Sequence, residues 1–442
     1  MLAAPVRVVK ESPAKLVTEH RLGDRRFFVK RYRHSAYPLR PFKYFFKRSQ
    51  AHQEWSLAGQ MSRRGIPIVR HLALGWRWSM TGLQESILIT EGFDGLPANE
   101  VTNADGAALT AFVGHMAEAG FVQHDLHPAN LLVRSTPPEI RLVDLHGTVA
   151  LDNPPESVRR RNHDRMLALL CMTLPIKVPI EIEEASRALR KRALWRRSRR
   201  CLKMNRDFSM QRFGHWRWNV RTGSVTPALA DLMSAPDKFI AQARSLKRGR
   251  SSTVATQFGV VLKRYNFKKP LNLLKDLFRG SRARRGFRKG YHLELCDIAT
   301  PRIIGAGERR VFGLPIRSYV LMEEVPGACE AHDWDGDPRH AAHALGALLA
   351  RLHDEGFSHR DLKESNILFN SNGVPQLIDL DGLTFEVDVT AGEAAANLRR
   401  LAAGLAPVGR LTRSNIISFL LAYCRNRRVR PRLLFPRRMS RR

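Results

Sequence analysis

The 442-residue sequence predicts an α+β chain built as two tandem units, each a small β-rich N-terminal lobe followed by a larger helical C-terminal lobe. Three observations carry this expectation. A polar loop running from His359 through Asp361 to Asn366 sits between apolar stretches, and Asp379 follows thirteen residues after Asn366 at the end of a second apolar run. The same arrangement occurs earlier, with Asp125, Asn130 and Asp144. The register between the copies holds steady: Asp125 and Asp361 are 236 apart, as are Asn130 and Asn366, while Asp144 and Asp379, and Asn162 and Asn397, are 235 apart. An offset this constant marks an internal repeat.

Each half then keeps one order. Residues 8–17 and 245–254 read as strand, turn and strand, and a third strand ends on Lys30 or Lys263. Helices are expected at 49–64 and 281–296, each stopped before a Pro-containing segment. Apolar strands at 86–90 and 318–322, followed by Glu91 and Glu323, suit the hinge between lobes, and a helix over 341–355 leads into the second polar loop. The expected division is a first domain over 1–205, a linker or domain start over 206–237, a second domain over 238–424 and a basic, disordered tail over 425–442.

The chemistry comes from residue type and spacing. A loop Asp is placed to take the proton of an attacking hydroxyl, an Asn five residues on to hold a metal ion, and an Asp at a strand end to bridge metal and phosphates. Asp361, Asn366 and Asp379 fill these roles in the second half, and Asp125, Asn130 and Asp144 in the first. Taken singly, such residues are ordinary solvated side chains; twice in register they point to phosphoryl transfer. Lys30 and Lys263 are candidates to clamp nucleotide phosphates. Glu54 is spaced to pair with Lys30, but the matching position of the second half is Gly286, with Glu294 two turns further on as a substitute. Gly249 and Ser251 sit in the turn that would cover the phosphates, without a G-x-G-x-x-G pattern. The halves also differ at the loop, which reads Gln123-His-Asp in the first and His359-Arg-Asp in the second.

Composition points to an acidic partner. The net charge is +33, and three basic runs stand out. Residues 187–206 hold ten Lys or Arg and no acid, residues 263–289 eleven against Asp276 alone, and residues 425–442 nine Arg and no acid. An anionic membrane surface suits this charge, with Trp195 and Phe435 expected at headgroup level. Nucleic acid is disfavoured, since no recognition motif accompanies the charge. The five cysteines and sixteen histidines show no disulfide or zinc spacing. No apolar run reaches the ~20 residues of a membrane span, the stretch 166–180 being broken by Lys177, and the first residues lack a signal-peptide pattern. A cytoplasmic protein is expected.

These residues amount to a resemblance. Val261-Leu-Lys-Arg-Tyr265, the helix from Ser281 towards Arg302, the loop from His359 to Asn366, and Leu377-Ile-Asp-Leu-Asp-Gly382 resemble the lipopolysaccharide kinases of Gram-negative bacteria. Those Kdo and heptose kinases have a protein-kinase-like fold, and the first half resembles them less closely over 8–170. The resemblance implies ATP and Mg²⁺ (or Mn²⁺) as cofactors, and a sugar hydroxyl of the lipid-linked inner core, Kdo or heptose, as acceptor. It places the protein peripherally on the cytoplasmic face of the inner membrane. It carries the phosphate-clamping role to Lys263 and Lys30, the base role to Asp361 and Asp125, and the metal roles to Asn366, Asp379, Asn130 and Asp144; Gly286 departs from it. Two other readings stand beside this one: a protein serine/threonine kinase with one catalytic and one regulatory half, and an inert pair serving as a scaffold.

Overall fold

The computed structural model describes residues 5–36, 41–101, 105–266, 276–277, 279–331, 333–407, 409 and 411–428. Contacts divide the chain into two units, Met1–Arg190 and Lys191–Arg442.

The first unit opens with β1 (Arg7–Glu11), β2 (Lys15–Leu22) and β3 (Arg25–Arg33), then α1 (Gln50–Arg63), β4 (His71–Ser79) and β5 (Gly82–Glu91). The five strands form an antiparallel sheet in the order β1-β2-β3-β5-β4. Along β3 the side chains alternate, so Lys30 and Tyr32 share one face. The helix α1 starts where the Ser49 hydroxyl accepts the His52 N–H, and it buries Ala51, Glu54, Ala58 and Met61 at helical spacing. One polar residue thus sits inside an apolar stripe, beneath the sheet. The helical lobe adds β6 (Leu96–Pro97), α2 (Gly106–Glu118), β7 (Phe121–Gln123), β8 (Leu131–Ser135), β9 (Pro138–Leu142), β10 (Thr148–Ala150) and α3 (Glu156–Leu170), and α4 (Ile180–Arg197) begins in this unit and ends past Arg190. Its core gathers Met116, Phe121, Leu131, Leu142, Met166 and Leu167, all fully buried.

The second unit includes β11 (Phe208–Phe213), β12 (Trp216–Arg221), α5 (Pro227–Ser234), α6 (Pro236–Gln242), β13 (Arg244–Arg248), β14 (Ser252–Gln257) and β15 (Val260–Tyr265). Next come α7 (Arg282–Leu295), β16 (Ile303–Val311) and β17 (Leu314–Glu323). The sheet order β11-β12-β16-β17-β15-β14-β13 repeats that of the first unit and extends it by two strands. Of the two expectations for 206–237, linker or domain start, residues 208–221 follow the second: they form a hairpin paired to β16. The indole of Trp218 lies so close to Gly307 that a Cβ there would come within 2.4 Å of it.

The two units divide at 190/191. Leu194, Cys201 and Leu202 pack with Phe208 in the core of the second unit. Its helical lobe comprises β18 (Cys329–Glu330), α8 (Pro338–Asp354), β19 (Phe357–His359), β20 (Ile367–Phe369), β21 (Pro375–Leu377), β22 (Leu383–Phe385), α9 (Ala391–Leu405) and α10 (Arg413–Arg427). No described helix is long and apolar enough to cross a membrane.

Trp195 is half-buried. It stacks on Phe385 at 4.9 Å between ring centroids, and the Arg288 guanidinium covers its ring at 3.5 Å. Of the basic tail, residues 429–442, including Phe435, lie outside the described residues.

Candidate active site

In both units a short antiparallel strand pair brackets the polar loop: β7 with β10, and β19 with β22. The two loops are then held by one set of backbone bonds. His124 N–H donates to the Gly147 carbonyl at 3.1 Å, and Arg360 N–H to the Gly382 carbonyl at 2.9 Å. Val143 N–H donates to the Asn130 carbonyl at 2.8 Å, and Ile378 N–H to the Asn366 carbonyl at 2.9 Å. These last bonds place each loop Asn next to the residue preceding its strand-end Asp.

Asp144 and Asp379 both adopt the left-handed backbone region, with φ of 52° and 54°. Asp tolerates this region better than most residues, and here it turns the carboxylate out of the strand line.

Beneath that turn, Gln123 and His359 do the same work with different groups. In the second unit His359 Nε2 lies 3.1 Å from the Asp379 carbonyl, which can only accept, so Nε2 carries the proton; Nδ1 then accepts the Asp361 N–H at 3.3 Å. Burial, opposed by the Asp379 carbonyl, lowers the imidazole pKa and keeps this neutral form. In the first unit the Gln123 amide donates to the Asp144 carbonyl at 3.3 Å and accepts the Asp125 N–H at 3.5 Å. Glycine comes next in both copies for want of room. A Cβ at Gly382 would lie 2.8 Å from the His359 ring, and one at Gly147 would lie 2.9 Å from Gln123 Oε1.

The lysines differ. In the first unit Lys30 is hydrogen-bonded to Glu54, whose other oxygen accepts Tyr32 O–H at 3.0 Å. His71 Nε2 stands 3.8 Å from the same carboxylate. Burial alone would raise the Glu54 pKa, but the Lys30 ammonium outweighs it and holds the carboxyl well below the usual carboxylate range. Asp144 meets a different cation: Lys15 Nζ lies 3.6 Å from its Oδ2, while Oδ1 is buried with no hydrogen-bond partner among the described residues. Burial lowers the Lys15 pKa, with Asp144 acting against it.

In the second unit Lys263 bonds Asp379 instead, Nζ to Oδ1 at 2.7 Å. Burial pushes the Asp379 pKa up, and the Lys263 charge more than reverses it, leaving the carboxyl below its ordinary value. Glu294 is not the substitute partner expected from its position, because its carboxylate is bonded by Arg221. A Cβ added at Gly286 would sit 3.0 Å from Tyr265 Oη and 3.5 Å from Val320, so the tyrosine fills the space beside the missing acid. Asp381 takes over the link to α7: Arg282 bonds its carboxylate, and Lys289 Nζ donates to the Leu380 and Asp381 carbonyls, each at 3.0 Å. Burial lowers the Lys289 pKa to about 8, against the pull of Asp381.

Asp361 and Asp125 are exposed. Asn366 Nδ2 donates to the Asp361 carbonyl at 2.7 Å, which ties the loop Asn to the loop Asp, and Lys363 Nζ lies 3.6 Å from the Asp361 carboxylate. Gly249 closes its hairpin by donating to the Ser252 carbonyl at 3.0 Å, and the Ser251 carbonyl accepts the Asn266 N–H at 3.1 Å. A narrow cleft opens between the sheet and residues 378–380, lined by Lys263, Thr300, Ile303, Val320, Met322 and Asp379. A larger apolar pocket lies among α8, α9 and α10, and none of the predicted site residues lines it.

Sequence reasoning missed Lys15, Tyr32, Tyr265, Arg282, Lys289 and Asp381. The Lys-Arg-Tyr triplet ending both third strands, and the change from Asp-Leu-His to Asp-Leu-Asp after the strand end, were the available signals.

The family described as "Lipopolysaccharide kinase (Kdo/WaaP) family" matches residues 11–176 and 241–423. The chain is similar to a 3-deoxy-D-manno-octulosonic acid kinase of Stenotrophomonas maltophilia (strain K279a), 36% identical over 130 residues, covering 28% of this chain and 51% of the relative. A second relative of the same name, from strain R551-3, is 32% identical over 186 residues, covering 39% of this chain and 74% of the relative. The chain therefore spans about half the length of the first of these and about three quarters of the second. Among solved structures it is similar to "WaaP in complex with acyl carrier protein", with 19% identity, TM-score 0.33, and coverage of 43% of this chain and 82% of that one. On the two matched segments, which together take in both sets of loop and strand-end residues, the chain belongs to the lipopolysaccharide kinase (Kdo/WaaP) family.

Proposed function

We propose that the protein transfers the γ-phosphoryl group of ATP to a sugar hydroxyl of a lipid-linked saccharide of the lipopolysaccharide inner core, Kdo or heptose. The observation that carries this reading is the repeated framework in which a loop Asp, a loop Asn and a left-handed strand-end Asp are fixed by the same backbone bonds. Family membership supports the class of reaction, and the names of the relatives support the acceptor.

The residues fit a divalent cation. Asp144 Oδ1 is a buried carboxylate oxygen without a hydrogen-bond partner among the described residues, and such an atom is stabilised by a cation. Asn130 with Asp144, and Asn366 with Asp379, would hold Mg²⁺ or Mn²⁺, which when bound neutralises charge on the transferring phosphates. Asp361, exposed beside the cleft loop, accepts the proton of the acceptor hydroxyl as the new P–O bond forms. Lys263 and Lys30 bind nucleotide phosphates, Lys30 being held in place by Glu54. We assign transfer to the second unit, with its full His-Arg-Asp loop, and nucleotide binding to both. The link from β22 to α9 is short, Phe385 ending one and Ala391 beginning the other. It leaves little room for the long peptide-binding segment of a protein kinase, which favours a small acceptor. A cytoplasmic site, peripheral on an anionic membrane face, suits a protein of charge +33 with a lipid-linked acceptor.

The test is mass spectrometry of lipopolysaccharide from cells with and without the gene. A core lighter by one phosphate in its absence is the expected result, and an unchanged core removes the proposed acceptor.

A further inference from the structure

The first unit carries an aromatic and basic face that takes no part in the site. At the tip of the β4–β5 hairpin Met80 is 100% exposed and Trp76 59%, and Trp76 and Trp78 point the same way along β4. Beside them runs Lys43-Tyr-Phe-Phe-Lys-Arg48, where Phe46 is 96% exposed. The two segments are one surface, since the Phe45 and Trp78 rings lie 5.2 Å apart and His52 and Trp76 6.3 Å apart. Neither 43–48 nor 76–82 contains an acid, and Lys43, Lys47 and Arg48 sit in the same segment as Phe45 and Phe46, while Arg77 alternates to the other face of β4, 3.9 Å from Glu85.

Large side chains this exposed lose favourable burial by facing water. Trp, Tyr and Phe ringed by cations match the headgroup layer of a bilayer, where an apolar body and a polar or charged rim are both satisfied. Phe45, Phe46, Trp76 and Trp78 line one open hollow with Lys47 and Arg48, and Met80 stands bare at the hairpin apex, which suits shallow insertion. Single-stranded nucleic acid would stack on the rings but leave the apical Met80 in water, whereas a bilayer takes up both. The face also leads to the site of its own unit. Gln50, two residues past Arg48, bonds His146 at 2.9 Å, and His146 is two residues from Asp144.

We propose that this face is the membrane-docking element, seated on anionic phospholipid headgroups with Trp76, Trp78 and Phe46 at the interface. The proposal rests on the lipid-linked acceptor for its biological sense but not for its physical argument. It also moves the apolar part of membrane attachment away from Trp195, which is stacked inside the second unit.

The test uses the full-length protein with vesicles of phosphatidylethanolamine and phosphatidylglycerol, and with phosphatidylcholine vesicles as the neutral control. Wild type is expected to co-sediment with the anionic vesicles, and brominated acyl chains should quench part of its tryptophan fluorescence. The Trp76→Ala/Trp78→Ala double variant, and Phe46→Ser separately, should each lower vesicle partitioning at least about tenfold with unchanged thermal unfolding. Both should keep their phosphorylation of a water-soluble, lipid-free core saccharide. Unchanged partitioning in both variants overturns the proposal, as does loss of single-stranded RNA binding in place of vesicle binding. If wild type phosphorylates no saccharide yet docks through these residues, docking stands and the sugar-kinase reading falls.

Discussion

Lys263 Nζ stands 2.7 Å from Asp379 Oδ1, so the second unit neutralises its strand-end carboxylate with the lysine that the first unit commits to Glu54. Because the pair lowers the Asp379 pKa, its stabilisation is present above the unfolded carboxylate value of about 4 and is lost as pH falls through the folded value. Lys263→Met should therefore cost about 1–2 kcal/mol at pH 7, and the gap from wild type should close below about pH 4. Thermal unfolding as a function of pH measures it; a gap that persists at low pH contradicts the assignment.

Asp361→Asn removes the proton acceptor while leaving the nucleotide cleft intact, and it should lower turnover at least about 10²-fold with little change in ATP affinity. Asp379→Asn should weaken metal-dependent nucleotide binding instead. Asp125→Asn run in parallel separates the units: a small loss in each single variant with a large one only in the double variant would mean that both transfer phosphate.

His359 is buried in its neutral form and its pKa is lowered. As pH falls below about 6.5, the unfolded chain binds a proton that the folded chain resists, so stability is lost on the acid side. His359→Gln copies the bonding of Gln123 without the titration. The variant should match wild type within about 1 kcal/mol at pH 7.5 and gain on it between pH 6.5 and 5. Equal acid sensitivity in the two proteins would show that His359 is not the group responsible.

Glu54→Ala leaves Lys30 buried without its counter-ion and should cost about 3–5 kcal/mol. Gly286→Glu, which would complete the same pair on paper, should also destabilise, by about 1–3 kcal/mol, because Tyr265 and Val320 occupy the space. Denaturant titration checks both, and a stabilised Gly286→Glu would mean that Tyr265 gives way.

Much of this was legible from spacing alone. The Lys30 and Glu54 pair comes from the alternation of a strand and the period of a helix, both local rules, and the loop and strand-end residues come from short fixed intervals. What escaped was set by the third dimension. That a Gln amide can stand in for a His ring is visible only when donor and acceptor directions are known. Whether Lys263 meets Glu294 or Asp379 depends on Arg221, which arrives on a strand 73 residues away from Glu294. Residues 208–221 were open between linker and domain start because Pro and polar residues punctuate the neighbouring sequence, whereas their pairing partner β16 lies far along the chain.

The stack of Trp195 on Phe385 under Arg288 bears on how the halves can be dissected. A fragment beginning at 206 would leave behind Leu194, Trp195, Cys201 and Leu202, baring Phe208 and the aromatic cluster around His292. Its failure to bind nucleotide would report a stripped core rather than a missing partner. Proteolytic nicking and truncation experiments are informative only with cuts that keep 191–205 attached to the second unit.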